Sequence, residues 1–355
     1  MSAPVDPKVC PLCGGDNACA MAQAGSPDTP VPCWCTSTAI GAEVLARIPA
    51  DAVGKACVCR ACATAGSAGT TAQPTVDAGG RPAVRLRRGD DEVLVAHLGA
   101  QVLSWRRAGE ELLWQASHAT FAPGKPVRGG VPLVFPWFGD HPDGDHPDGG
   151  HPAHGFARNL DWQPAADQPR DGVALQVEHT GDPGWPHAVG MRLEVLLDPE
   201  LHLIWTVHNR GAAPIRFEQA LHTYFAVGDV HEASVHGLEH VPCSEHAAAP
   251  EAAWDRGAPL RFRAETDRIF QGVPDTITLR APALRKELVL ATTNARSAIV
   301  WNPWPAKTAR LAQMAPDDWR TFVCIESANV REHAVVLPVG ASHTMQLRLA
   351  ARPLA

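Results

Sequence analysis

No apolar run in this 355-residue chain approaches the roughly 20 residues that a bilayer-spanning helix needs, which argues against a membrane helix. The formal net charge is -7, so the molecule lacks the positive field of a nucleic-acid-binding protein. An anionic ligand would have to be drawn in by a local group of arginines. The opening residues, Met1 to Lys8, lack the apolar core of a signal peptide, so a cytoplasmic protein is expected, with cysteines reduced or metal-bound. Long helical periodicity is missing, and strand-like runs do not alternate with helical ones, which argues against a parallel α/β fold. Beyond residue 62 cysteine almost vanishes, leaving Cys243 and Cys324. What remains is ordinary for a globular chain, 45% hydrophobic and 19% charged.

The other eight cysteines are Cys10, Cys13, Cys19, Cys33, Cys35, Cys57, Cys59 and Cys62. Cys10-Pro-Leu-Cys13-Gly-Gly is a knuckle-like turn whose spacing lets two thiolates reach one ion. Cys33-Trp34-Cys35 and Cys57-Val-Cys59-Arg-Ala-Cys62 supply two more groups, with a short helix expected over 42–48. A segment this small has too little apolar area to fold on a core alone. Eight thiolates suit one or two tetrahedral zinc sites, and disulfides are the rival reading. Few cations accompany them, which weakens a nucleic-acid role. The segment 1–62 therefore reads as a metal-stapled unit, and 63–80, rich in Ala, Gly, Ser and Thr, as a flexible linker.

From residue 81 to 355 the signals are strands. Residues 93–105 are β-rich with a glycine break, and 173–179 alternate cleanly. Residues 191–197 and 201–208 alternate about Asp198-Pro199-Glu200, a hairpin, and further strands are expected at 277–279, 288–290, 298–301, 322–325 and 345–349. Many short strands with turns between them predict an all-β domain, a large antiparallel sandwich.

Arg128-Gly-Gly-Val-Pro-Leu-Val-Phe-Pro-Trp-Phe-Gly leads through a His/Pro/Asp/Gly repeat to His154-Gly-Phe-Ala-Arg158. The glycines permit unusual backbone angles, and Pro132 and Pro136 predict a segment crossing a concave surface rather than lying in a strand ladder. Arginine suits bidentate capture of phosphate or carboxylate, so a pocket for a small phosphorylated or polyhydroxylated molecule is expected between Arg128 and Arg158. The repeat from His141 to His151 reads as a solvated loop rather than a metal site.

Three further stretches carry candidate chemistry. In Leu221-His222-Thr223-Tyr224, His222 and the chain's one tyrosine share a strand face, and histidine is the natural proton donor or acceptor near neutral pH. In Cys324-Ile325-Glu326, a glutamate ends an apolar strand, where burial needs a partner. In Glu265-Thr266-Asp267-Arg268, Asp267 is placed to accept hydrogen bonds from sugar hydroxyls, or else to pair with Arg268.

Taken in order, Arg128-Gly-Gly, His154-Gly-Phe-Ala-Arg158, Leu221-His222-Thr-Tyr-Phe, Asp267, Trp301-Asn-Pro-Trp304 and Cys324-Ile-Glu326 closely resemble the D-hexose-6-phosphate mutarotase (glucose-6-phosphate 1-epimerase) family of the aldose 1-epimerase superfamily. The resemblance covers about residues 80–352. It implies a galactose-mutarotase-like β-supersandwich and an isomerase that interconverts α and β anomers of hexose 6-phosphates without a catalytic cofactor. It implies His222 as general acid, Glu326 as general base, Arg128 and Arg158 on the phosphate or ring oxygens, and His154 and Asp267 as substrate-binding positions. Those roles predict that His222 and Glu326 face each other across a sugar-sized hollow. Aromatic walls such as Trp137, Trp301 and Trp304 should raise the pKa of Glu326. The alternative is a non-catalytic carbohydrate-binding protein. The Cys33-Trp34-Cys35 segment resembles the cysteine-rich CWC family over about the first 62 residues, which implies no established activity, only metal binding; a separate expectation for this segment is a zinc-stapled module that recruits a partner protein.

Overall fold

The hairpin about Pro199 shows how the sequence builds the larger sheet. Val189–Asp198 and Glu200–Asn209 run antiparallel with Trp205 opposite Leu193. Leu201, Leu203, Trp205 and Val207 are buried, and the residues between them are partly exposed. Because side chains alternate with period two, a one-residue slip would turn all four outward. Each large apolar side chain is worth about 1.5–3 kcal/mol in burial, so the core fixes the register.

The computed structural model describes residues 5–23, 33–38, 40–65, 69–122, 125–141, 151–250 and 254–354. They form two compact units divided between Thr70 and Thr71. In the larger unit a nine-stranded sheet contains the hairpin, and a six-stranded sheet carries the candidate site. A five-stranded sheet begins with Thr71–Val76. One core cluster joins Leu203 and Trp205 of the nine-stranded sheet to Leu221, Phe225, Val300, Val323 and Ile325 of the six-stranded one. Described helices are single turns, the longest being Arg60–Ala65, and no described helix is long and apolar enough to cross a membrane.

Two expectations are corrected. Thr71–Val76 lies inside the stretch read as linker, yet it pairs antiparallel with Pro82–Arg88. Its side chains are mostly exposed and include Pro74, which suits an edge strand and leaves no apolar alternation to read. Leu133–Val134, expected outside any ladder, pairs with the strand Gln219–Ala226 at the edge of the six-stranded sheet. The two prolines shorten the strand rather than prevent it.

The smaller unit has little apolar core: Val44, Val58 and Ala63 are buried beside Cys10. The knuckle closes by hydrogen bonds from Cys10 N–H to the Gly15 carbonyl (2.7 Å) and from Gly14 N–H to the Cys10 carbonyl (2.8 Å). Ala42–Ala46 is the short helix expected between the cysteine groups.

Candidate active site

The site stands on the face of the six-stranded sheet turned away from the main core. Its central strands are Thr266–Gln271, Ser297–Asn302, Phe322–Asn329 and Gln219–Ala226, side by side. Antiparallel pairing lines up Asp267, Trp301, Cys324 and Tyr224 as one row across them. The next row is Ile269, Ile299, Glu326 and His222. Residues opposite each other project to the same face, so both rows share one floor. The intervening Leu221, Phe225, Val323 and Ile325 enter the main core. Trp114, Phe322 and Met314 pack onto the floor from around it.

His222 and Glu326 are direct cross-strand neighbours, with Nε2 to Oε1 at 3.3 Å. This corrects the expectation that they face each other across a hollow: they touch, side by side, on one floor. His222 is 7% and Glu326 1% exposed. The other polar atom of each, His222 Nδ1 and Glu326 Oε2, is buried without a hydrogen-bond partner among the described residues. An orphaned buried acceptor or donor costs about 1–3 kcal/mol, and such groups are kept where a ligand satisfies them. Burial drives the pair toward neutrality. It pushes His222 well below its usual 6.5, helped by His154, Arg158 and Arg128. It pushes Glu326 well above 4.5, helped by the Asp267 charge and opposed by Arg158.

The neighbours fix the pair. The Tyr224 ring stacks on His222 at 4.8 Å, and Trp301 meets it edge-on at 6.1 Å. His154 meets it edge-on at 5.7 Å. Gly139 N–H donates to His154 Nδ1 at 3.2 Å, which leaves the proton of the neutral ring on Nε2. Burial lowers the His154 pKa to about 3, so the ring is neutral at physiological pH. The Gly130 carbonyl accepts the Tyr224 N–H at 2.9 Å. Gly130 has φ +61°, and a Cβ there would strike the Val102 carbonyl, so the glycine is sterically required.

Arg128 and Arg158 converge beside Tyr224. With Lys125 and Gln313 they line a cavity of about 190 Å³. Arg128 Nε donates to the Ala312 carbonyl at 3.0 Å, and Arg158 Nη2 to the Ala153 carbonyl at 2.6 Å. These bonds set the guanidinium groups, and Arg158 Nε is left buried and unpaired. A larger hollow of about 490 Å³ is lined by Phe138, Glu218 and Arg331 but by neither His222 nor Glu326, so the chemistry is not placed there.

Asp267 does not pair with Arg268. Its Oδ2 accepts from Lys307 Nζ at 3.2 Å, and Lys307 also reaches Glu265 at 3.2 Å, while Arg268 pairs with Glu245 at 2.6 Å. Consecutive residues on a strand point to opposite faces, which separates Asp267 from Arg268. Lys307 was invisible to sequence reading because nothing in Trp304-Pro-Ala-Lys307 marks it as a partner of a strand 40 residues earlier. Of the three tryptophans expected around Glu326, Trp301 lies on the floor, whereas Trp137 packs on Phe156 and Trp304 on Trp319. Trp114, which no motif singled out, is on the floor and stacks on Phe322 at 4.2 Å. Residues 142–150 of the repeat lie outside the described residues. At its flanks the His141 and His151 rings stack at 4.0 Å.

In the smaller unit the sulfurs of Cys10, Cys13, Cys59 and Cys62 all lie within 4.8 Å of one another. Four thiolates at about 2.3 Å from a tetrahedral zinc would stand roughly 3.8 Å apart, so this group fits such an ion.

Comparison with known proteins gives the family and the fold. The family model for aldose 1-epimerase matches residues 82–350, and that for cysteine-rich CWC matches residues 10–64. A Cenchrus ciliaris protein provisionally named glucose-6-phosphate 1-epimerase is 32% identical over 270 residues, 72% of this chain and 80% of its own. An Escherichia coli K12 protein of the same provisional name is 34% identical over 261 residues, 72% of this chain and 85% of its own. The crystal structure of a provisionally named mutarotase from Salmonella typhimurium superimposes with TM-score 0.66 at 26% identity, covering 77% of this chain and 90% of that one. A galactose mutarotase-like protein from Clostridium acetobutylicum, 13% identical, shares the fold with TM-score 0.58 over 80% of this chain and 99% of that one. The chain therefore belongs to the aldose 1-epimerase family, and it is an isomerase of sugar anomers built on the galactose-mutarotase-like fold, with a cysteine-rich appendage.

Proposed function

We propose that the substrate is a hexose 6-phosphate and that His222 and Glu326 interconvert its α and β forms by opening and reclosing the ring at C1. The observation that carries this reading is the buried, touching pair, each member with one unsatisfied atom. Ring opening takes a proton from the C1 hydroxyl and gives one to the ring oxygen O5. Both oxygens are bonded to C1, so the acid and base that serve them must stand close together. Each must be within hydrogen-bond reach of its target, about 2.6–3.2 Å. A sugar lying over the floor meets that need, where one wedged between the two groups would not.

Burial favours a pair that holds one proton between Oε1 and Nε2. Moving that proton from Glu326 to His222 leaves the net charge unchanged and yields a carboxylate base beside an imidazolium acid. Glu326 then accepts the O1 proton as His222 donates to O5. After rotation about C1–C2, reclosure on the opposite ring face returns both protons. Arg128 and Arg158, with Lys125, grip the phosphate away from C1, and that binding energy orients the ring. His154 and Asp267 accept or donate to the hydroxyls. In the appendage, Cys10, Cys13, Cys59 and Cys62 hold a structural zinc ion.

Exchange between anomers, measured by magnetisation-transfer NMR, tests the substrate. Glucose 6-phosphate should be interconverted with a higher kcat/KM than glucose. Replacing Arg128 by Met should remove about 1.5–3 kcal/mol of that advantage, or roughly 10- to 100-fold, because a charged hydrogen bond is lost. Equal rates on both sugars would refute the phosphate assignment.

A further inference from the structure

Lys307 reaches over one end of the floor. Its Nζ lies 3.2 Å from Asp267 Oδ2, 3.2 Å from Glu265 Oε1 and 6.0 Å from the centre of the Trp301 ring. Glu265 is 4% exposed, and its Oε1 has no hydrogen bond among the described residues, so the ammonium is the charge it faces. Two carboxylates this close and this buried need a cation between them.

The backbone is strained to put the lysine there. The strand Ser297–Asn302 ends and the single turn Trp304–Thr308 begins within two residues. Trp304 has φ +55°, a left-handed conformation that a bulky side chain rarely adopts. Asn302 holds it. Fully buried, Asn302 accepts the Trp304 N–H on Oδ1 at 3.0 Å and donates from Nδ2 to the Trp319 and Phe322 carbonyls at 2.8 and 2.9 Å. Thr308 Oγ1 closes the turn by donating to the Trp304 carbonyl at 2.6 Å. Strain of this kind persists only where neighbours enforce it, and it gathers at functional sites.

What the lysine does follows from Asp267. Oδ2 accepts from Lys307, while Oδ1 makes no hydrogen bond among the described residues. Burial raises the Asp267 pKa, and Lys307 is the largest influence opposing it; His246 acts with Lys307, and Glu245 against it. Asp267 begins the row that ends at Tyr224, three strands away, about 14 Å at roughly 4.8 Å per strand. Arg128 and Arg158 converge at the Tyr224 end. A sugar phosphate held there, with C1 over His222 and Glu326, turns its remaining hydroxyls toward Asp267.

We propose that Lys307 is a positioning residue for substrate specificity: it fixes the Asp267 carboxylate through Oδ2 and leaves Oδ1 free to accept hydrogen bonds from sugar hydroxyls remote from the phosphate. This rests on the proposed function. Lys307 acts through Asp267 and touches neither reacting oxygen, so its contribution belongs to binding rather than to proton transfer.

Anomer-exchange kinetics of the full-length chain on glucose 6-phosphate test this. Lys307→Met should raise KM roughly tenfold or more, the worth of a hydrogen bond to a charged group, with kcat little changed. Lys307→Arg should restore most of the loss. In an Asp267→Asn background the same Lys307→Met change should leave KM nearly as it was, because the group it positions is already gone. An unchanged KM in Lys307→Met, or a penalty that persists in full beside Asp267→Asn, overturns the proposal. Should Lys307→Met fail to fold, Lys307→Gln, which keeps a hydrogen bond and loses the charge, decides by the same KM. A wild type that exchanges glucose but not glucose 6-phosphate overturns the phosphate reading alone; the comparison then runs on glucose, whose ring hydroxyls are the same.

Discussion

As surface residues Glu326 and His222 would keep their ordinary pKa values, an ionised carboxylate beside a largely neutral imidazole at pH 7. On the sheet floor, burial moves them in opposite directions, the carboxyl up and the imidazole down. The sign of the pH dependence follows. On the proposed mechanism the active form holds one proton on the pair. It is lost at low pH when His222 takes a second proton, below 6.5, and at high pH when Glu326 gives up its own, above 4.5. The kcat/KM profile should therefore be a bell whose acidic limb is centred below pH 6.5. Rates measured across pH 4–10 check it, and an acidic limb centred above 6.5 would contradict the assignment. His154 stays neutral across the measured pH 4–10 because its own pKa is about 3. It therefore contributes a fixed N–H donor rather than a second titration.

Among the elements, the loop that brings His154 to the floor depends on one glycine. Gly155 has φ +73°, and a Cβ there would overlap the Phe135 carbonyl. Left-handed backbone alone costs a residue with a Cβ roughly 1–2 kcal/mol, and the overlap adds to it. Gly155→Ala should lower stability by at least about 2 kcal/mol, read as a fall in the denaturation midpoint. An unchanged midpoint would show that the loop relaxes freely. How much of this was legible follows from the same local chemistry. Alternation exposed the 189–209 hairpin, because buried and exposed faces differ there in polarity, whereas the strands holding His222 and Glu326 are buried on both faces. It missed Thr71–Val76, whose exposed edge position demands no apolar residues. It named His222, Glu326, Arg128 and Arg158 through motifs, but not that the first two touch, since contact depends on register between strands a hundred residues apart. Lys307 and Trp114 escaped because their roles arise only from packing.

At the scale of the whole molecule, a net charge of -7 repels anions, so on the proposed reading capture of a phosphorylated sugar falls to a local field. Arg128, Arg158 and Lys125 line one cavity, and the charges of Arg128 and Arg158 also reach the floor, where both lower His154 and His222. The most direct measurement is anomer exchange on glucose 6-phosphate by magnetisation-transfer NMR, comparing wild type with Glu326→Gln, which keeps the shape and removes the base. The account predicts rapid exchange with the wild type and a 10²- to 10⁴-fold loss in the variant, the range for a positioned base. Full exchange by a folded Glu326→Gln protein would contradict it.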